Sequence, residues 1–260
     1  MKMMPAVFSG GGYVPVIKKE YFEWLFSELT DLVYPRRCPF CDRVLSSDEH
    51  KKLICSECEE KPKYIHSPYC FKCGKQLSDP DEEYCEDCRK RSHSFVRGVA
   101  LYDYSSVRMS MYRFKYSGRA EYAEYFGREI AYSFGDLFRK WEIDAIVPVP
   151  MYSGKERVRG YNQAEKLAES IARESGIPVF KGFVKRVKNT KPMKLLGAGE
   201  RAANLKNAFI IASNDVKFNK VLLVDDIYTT GATIDAVADA LMDAGVSYVY
   251  FVTLAIGAGC

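Results

Sequence analysis

No stretch of this 260-residue chain is apolar for long enough to cross a membrane. The longest candidate, Tyr248 to Gly259, falls well short of the about 20 residues a spanning helix needs and reads as a buried final strand. Residues 1–17 contain glycine and proline but no apolar core. A secretory signal is therefore not expected, and a cytoplasmic, reducing setting is. Charge of one sign is not in excess: the net charge is +4, too mild to point to a polyanionic partner. There is no Walker loop, and Gly197-Ala198-Gly199 follows no strand, which excludes a dinucleotide fingerprint there. Histidine is scarce: His50, His66 and His93 lie near cysteines and are expected to be surface or supporting residues rather than metal ligands. No side chain stands out as a general base.

Cysteine is plentiful. Eight of nine form C-x-x-C pairs: Cys38/Cys41, Cys55/Cys58, Cys70/Cys73 and Cys85/Cys88. Each pair supplies two corners of a zinc tetrahedron, so four pairs imply two Zn²⁺ ions. In a reducing compartment metal is favoured over disulfides. Residues 38–58 also align with residues 70–88, Arg43 matching Lys75, Leu45 matching Leu77 and Ser46 matching Ser78. A duplicated unit with two pairs per copy favours one site per copy; first pair with third is the alternative. Cys260 has no partner in this scheme. Residues 38–92 hold ten Lys/Arg and twelve Asp/Glu, a net of −2, which argues against a phosphate-binding finger and for a structural or docking module. Phe40, Tyr69, Phe71 and Tyr84 are available for base stacking or for a small core.

Residues 221–233, VLLVDDIYTTGAT, carry the sharpest chemistry. Val221 to Val224 read as a buried strand, Asp225 and Asp226 as acids at its end, and Thr229, Thr230, Gly231, Ala232 and Thr233 as a polar turn. A helix follows, with Ile234, Val237, Ala238, Leu241 and Met242 on one face and Gly245 as its stop. Unpaired N–H groups and the helix dipole at such a turn favour an anion. The carboxylates sit where a ribose diol, or a magnesium bound to it, would lie, and Gly231 lets the backbone approach closely.

Elsewhere, strands are expected at 96–104, at 143–149 and near 179, 209, 221 and 249. Helices are expected over 20–33, 120–139 and 161–175. Alternating strands and helices predict a parallel α/β sheet with its site at the carboxyl ends of the strands. The stretch after Pro150, with Ser153, Gly154, Lys155, Arg157 and Arg159, reads as a basic turn able to cradle pyrophosphate, arginine's fork matching phosphate oxygens. Residues 181–206 carry eight basic side chains and one acid, Glu200: either a solvated loop or a mobile one that closes over a polyanion.

YPRRCPFC, the paired knuckles, FKYSGR (114–119), PVP with RVRGYNQAE, the Thr190/Leu195/Arg201/Asn204 pattern and VLLVDDIYTTGAT together resemble the ComF/GntX family of double-zinc-ribbon, type I phosphoribosyltransferase-like proteins. The resemblance runs from about Tyr34 to Gly257 and implies a double zinc ribbon (35–92) and a parallel-sheet, phosphoribosyltransferase-like α/β domain (93–260), preceded by a segment (1–34) with an amphipathic helix. It implies a ligand, 5-phosphoribosyl-1-pyrophosphate (PRPP), and Mg²⁺. Asp225 and Asp226 would contact the ribose, and Thr229 to Thr233 the 5-phosphate. Met151, Tyr152, Ser153, Arg157 and Arg159 would take the pyrophosphate. Segment 185–205 would be a catalytic loop with Lys191 and Arg201. Met193 stands where family members often carry Gln. The family is linked to competence, so single-stranded DNA or DNA-import proteins are expected partners, without membrane insertion. The alternative to an enzyme is a non-catalytic adaptor or PRPP sensor that docks through its zinc module.

Overall fold

The computed structural model describes residues 34–187, 208–212 and 218–257. The expected helix over 20–33 lies outside these residues, as do Lys191, Met193, Arg201 and most of the basic segment. From Arg37 onward the chain forms one compact unit.

Its strands are β1 (Arg97–Asp103), β2 (Ala145–Pro148), β3 (Val184–Arg186), β4 (Phe209–Ile211), β5 (Lys220–Tyr228) and β6 (Tyr248–Ile256). Its helices are α1 (Glu86–Lys90), α2 (Tyr104–Tyr116), α3 (Tyr122–Lys140), α4 (Ser153–Arg159), α5 (Gln163–Ser175) and α6 (Ala232–Asp243). Strands β1, β6, β5 and β2 form, in that order, a parallel sheet.

Several details differ from the sequence reading. Helix α2 was not expected: it starts on Asp103, whose carboxylate accepts from the Ser105 N–H, and it buries Val107, Ser110, Met111 and Phe114 on one face. Strands β3 and β4 pair antiparallel in a separate ribbon, and the strand expected near 179 is a single bridge between Val179 and Ile146. The basic stretch after Pro150 is not a turn but the two-turn helix α4, ended by Gly160 in the left-handed region at φ 87°.

Alternation along β5 divides the core. Leu222 and Val224 face α2, α3 and α5, where Phe114, Phe126, Ile130, Leu167 and Ile171 pack. Val221 and Leu223 face α6, with Val237, Ala238 and Leu241, and the rings of Phe95 and Phe251. Both cores continue into the cysteine-rich segment. Cys38, Cys55 and Cys58 belong to the first, and Cys70, Cys73 and Cys85 to the second. Phe40 is spent on packing: it meets Tyr102, Tyr125 and Phe126 edge-on at about 6 Å. Residues 63–65 hydrogen-bond antiparallel to β1, through Ile65 N–H to Leu101 and Asp103 N–H to Lys63.

Candidate active site and metal sites

The cysteines gather sequentially, Cys38, Cys41, Cys55 and Cys58 in one group and Cys70, Cys73, Cys85 and Cys88 in the other. Within each group every sulfur lies within 4.8 Å of the others. Cys41 and Cys55 sulfurs are 3.6 Å apart, and Cys73 and Cys85 sulfurs 3.7 Å. A tetrahedron with Zn–S bonds near 2.3 Å has edges of about 3.8 Å, so both groups fit zinc. The repeat is visible in the backbone. Cys38 N–H donates to Arg43 and Asp42 N–H to Cys38; Cys70 N–H donates to Lys75 and Gly74 N–H to Cys70. The equivalent residues Asp42 and Gly74 both have positive φ, 65° and 77°. In the first knuckle that conformation is held by Arg119 and Tyr122, which donate to the Asp42 carboxylate.

The second feature is the carboxyl edge of the sheet. Strand β2 stops pairing at Pro148, opposite Val224, while β5 continues against β6 to Tyr228. Asp225 and Asp226 therefore lie within the strand but beyond its neighbour, over the loop that leaves β2. Successive residues on a strand point to opposite faces; Lys115 pairs directly with one acid and its charge also reaches the other. Lys115 Nζ lies 3.0 Å from Asp226 Oδ2. Asp225 takes the field of Lys115 and, after it, of Arg186 on β3. Burial, then the Asp226 charge, pushes the Asp225 carboxyl up to about 7; the Asp226 N–H, Lys115 and Arg186 pull the other way. Burial lowers the Lys155 ammonium, and Arg186 and Arg159 push it further down, so these three cations share one region.

Of the residues expected to hold pyrophosphate, Arg159 is brought to this region. Its guanidinium lies 5.0 Å from the centre of the Tyr116 ring, and its charge reaches Lys115. Arg157 and Ser153 are exposed, while Met151 and Tyr152 are half-buried at the exit of β2. The RGYNQ run is a set of braces. Asn162 donates to Val149 and caps α5 through Ala164 N–H. Tyr161 and Gln163 both donate to the Phe114 carbonyl in the last turn of α2, where the helix leaves its own acceptors unpaired. The residue so placed is Lys115. The sequence reading missed its role, although FKYSGR marked the position; only the packing of an unanticipated helix aims it at Asp226.

The turn after β5 has the expected form. Gly231, at φ 79°, precedes α6, which has no side-chain N-cap. Among the described residues no backbone carbonyl accepts from the N–H groups of Thr230 to Ile234; the first such bond is Asp235 to Gly231. The protein side of the turn supplies a reason for glycine that the sequence did not show. A Cβ there would lie 2.7 Å from Tyr228 Oη and 2.9 Å from His93 Cε1, on the protein side of the turn. His93 is correspondingly not a surface residue: its side chain is 2% exposed. Two carboxylates, several cations and a ring of free N–H groups can together hold an anionic sugar.

Comparison with known proteins agrees with this layout. The double zinc ribbon domain family matches residues 29–89, and the phosphoribosyl transferase domain family matches residues 127–259. The chain is 34% identical to Competence protein F of Haemophilus influenzae over 202 residues, covering 75% of this chain and 87% of that protein. It is 29% identical to Competence protein ComFC of Bacillus subtilis over 225 residues, 80% and 89% of the two chains. It is 28% identical to the DNA utilization protein YhgH of Salmonella typhimurium over 222 residues, 84% and 96%.

Proposed function

We propose, from the premise that this chain belongs to the ComF family of double zinc ribbon and phosphoribosyl transferase proteins, that it binds PRPP with Mg²⁺ and transfers the phosphoribosyl group. The observation that carries the reading is the end of β5, where an acidic pair and an uncapped helix turn adjoin several cations. The free N–H groups of residues 230–234 would hold the 5-phosphate, with the Thr229, Thr230 and Thr233 hydroxyls as added donors. Asp225 and Asp226 would take the ribose diol, or with ligand oxygens hold the hard cation Mg²⁺. Arg159 and Lys155, with Met151, Tyr152 and Ser153 along the same segment, would face the pyrophosphate, and Arg157 would stay in solvent.

In the reaction, the bond between the anomeric carbon and pyrophosphate breaks, and a bond to an acceptor forms on the same carbon. The carboxylates favour the cationic sugar, and the basic groups favour the leaving pyrophosphate. Each well-placed electrostatic group at such a centre is worth about 10²–10³-fold in rate. Lys191 and Arg201, from the basic segment, would act on the same leaving group. Alanine at either should then lower turnover more than ligand affinity.

Relatives named for competence and DNA utilization support a role in the uptake or use of DNA. In that setting the zinc module would meet single-stranded DNA or an import protein. The exposed pair Phe71 and Tyr84, in edge contact at 6.4 Å on the second knuckle, favours a second reading in which the chain senses PRPP and docks without catalysis. Calorimetric titration with PRPP, with and without Mg²⁺, tests the common premise. Wild-type affinity in the Asp225→Asn/Asp226→Asn double variant would place the site elsewhere. Pyrophosphate release with candidate acceptors separates the enzyme from the adaptor.

A further inference from the structure

Residues 90–126 lie between the two matched domains, and His93 stands near the start of this segment. It follows α1, which ends the second cysteine group, and precedes β1. Its Nδ1 lies 2.8 Å from Asp235 Oδ2, and the neighbouring Ser94 N–H donates to Asp235 Oδ1 at 3.0 Å. A carboxylate only accepts, so Nδ1 carries the donated proton. The ring is sandwiched. It stacks on Phe95 with centroids 4.7 Å apart and abuts Gly231.

Asp235 is the fourth residue of α6 and sits one turn into the helix whose free N–H groups face the candidate phosphate site. An unpartnered carboxylate there would compete with a phosphate for the same donors. His93 and Ser94 occupy both of its oxygens. They also tie the start of α6 to a segment anchored on the second cysteine group. That anchor is close-packed: a Cβ on Gly74 would lie 2.8 Å from Val99 Cα, and Gly98 N–H donates to Lys72. Phe95 continues it, meeting Tyr228 and Phe251 edge-on.

We propose that His93 is a positioning residue for the sugar-phosphate site: through Asp235 it fixes the turn 229–233 and keeps that carboxylate from accepting the turn's N–H groups. The inference rests on the reading of that turn as the 5-phosphate subsite. It assigns to the second zinc knuckle a part in ligand binding, because the knuckle carries the brace.

The test uses the full chain with both metals bound. His93→Leu keeps bulk and removes the donor, and His93→Asn keeps a donor at the δ position. His93→Gln has the same chemistry with its donor one bond further out. Affinity for PRPP and for ribose 5-phosphate is measured by calorimetry, together with zinc per chain by native mass spectrometry. His93→Leu should bind both ligands at least about tenfold more weakly, the scale of one hydrogen bond to a charged group, with two zinc ions retained. His93→Asn should stay within about threefold of wild type, and Asp235→Ala combined with His93→Leu should be no weaker than either alone. Pyrophosphate by itself, which the turn does not hold, should bind all variants equally. If His93→Leu cannot be isolated with its zinc, the Asn and Gln variants decide, Gln expected to be the weaker binder. Equal binding by wild type and His93→Leu, or by the Asn and Gln variants, overturns the inference and leaves the PRPP reading intact. A wild-type chain that binds neither ligand overturns both.

Discussion

The ammonium of Lys115 lies 3.0 Å from the carboxylate of Asp226, with the two side chains 20% and 13% exposed. Burial works against the charge on Lys115, but Asp226 and then Asp225 outweigh it and hold its pKa above the ordinary lysine value. A raised lysine contributes its stability through the neutral range and loses it only as pH climbs past the usual lysine region. Breaking a buried pair costs about 3–5 kcal/mol; with this much exposure, about 1–2 kcal/mol is expected for Lys115→Met. Chemical denaturation should read that loss. Calorimetry should show weaker PRPP binding, because the acidic pair then confronts an anionic ligand without its cation.

Asp225 gives the site a pH dependence of the same sign in a lower window. Its carboxyl titrates near 7 rather than in the ordinary aspartate range. The folded protein therefore binds a proton that the unfolded chain has released, and this residue makes stability fall as pH rises from about 4 to about 7. Ligand binding that needs the ionised form runs the other way, rising up to about tenfold per pH unit until about 7 and then levelling. Phosphate groups on the ligand titrate near 6 as well. The comparison that isolates the residue is wild type against Asp225→Asn, whose profile should keep the ligand's dependence alone. Superimposable profiles would remove Asp225 from the binding equilibrium.

The two arginines of α4 should behave differently. Arg159 lies over Tyr116 and within the field of Lys115, whereas Arg157 is exposed. Arg159→Ala is expected to weaken pyrophosphate binding by about tenfold or more, the scale of a charge-assisted hydrogen bond. Arg157→Ala should change it by less than about threefold. The reverse order would move the pyrophosphate to the other side of the helix.

Zinc removal should not simply release a small module. The cysteine groups are continuous with the two cores of the sheet, and Arg128 donates to the Lys51 and Lys52 carbonyls from α3. Metal binding supplies folding energy to such sites. Native mass spectrometry should show two zinc ions per chain. Chelation should lower the melting temperature of the whole unit in one transition, with loss of PRPP binding. Two separate transitions, the sheet melting unchanged, would argue against the shared core.

Gly231→Ala should be costly without touching any ligand. The left-handed conformation alone costs an alanine about 1–2 kcal/mol, and the added methyl meets the Tyr228 hydroxyl and the His93 ring. Thermal denaturation measures the loss, and hydrogen exchange over 228–235 should rise more than over 97–103.

The sequence by itself determined the parts. Fixed C-x-x-C spacing in a duplicated frame dictates two sulfur tetrahedra, because ligand count and repeat length leave little choice. An apolar run followed by Asp225, Asp226 and a TTGAT turn dictates strand, acids and open N–H groups, because those features are local. Tertiary structure decided which charges meet. Lys115 and His93 approach Asp226 and Asp235 across 111 and 142 residues of chain, contacts that no local pattern encodes. The sequence shows that α4 is basic, but only its placement beside Tyr116 selects Arg159 over Arg157. Glycine at 231 was legible as a turn residue. Its reason, a histidine ring packed beneath it, was not, because close packing is set by the elements that surround a residue rather than by its neighbours in sequence.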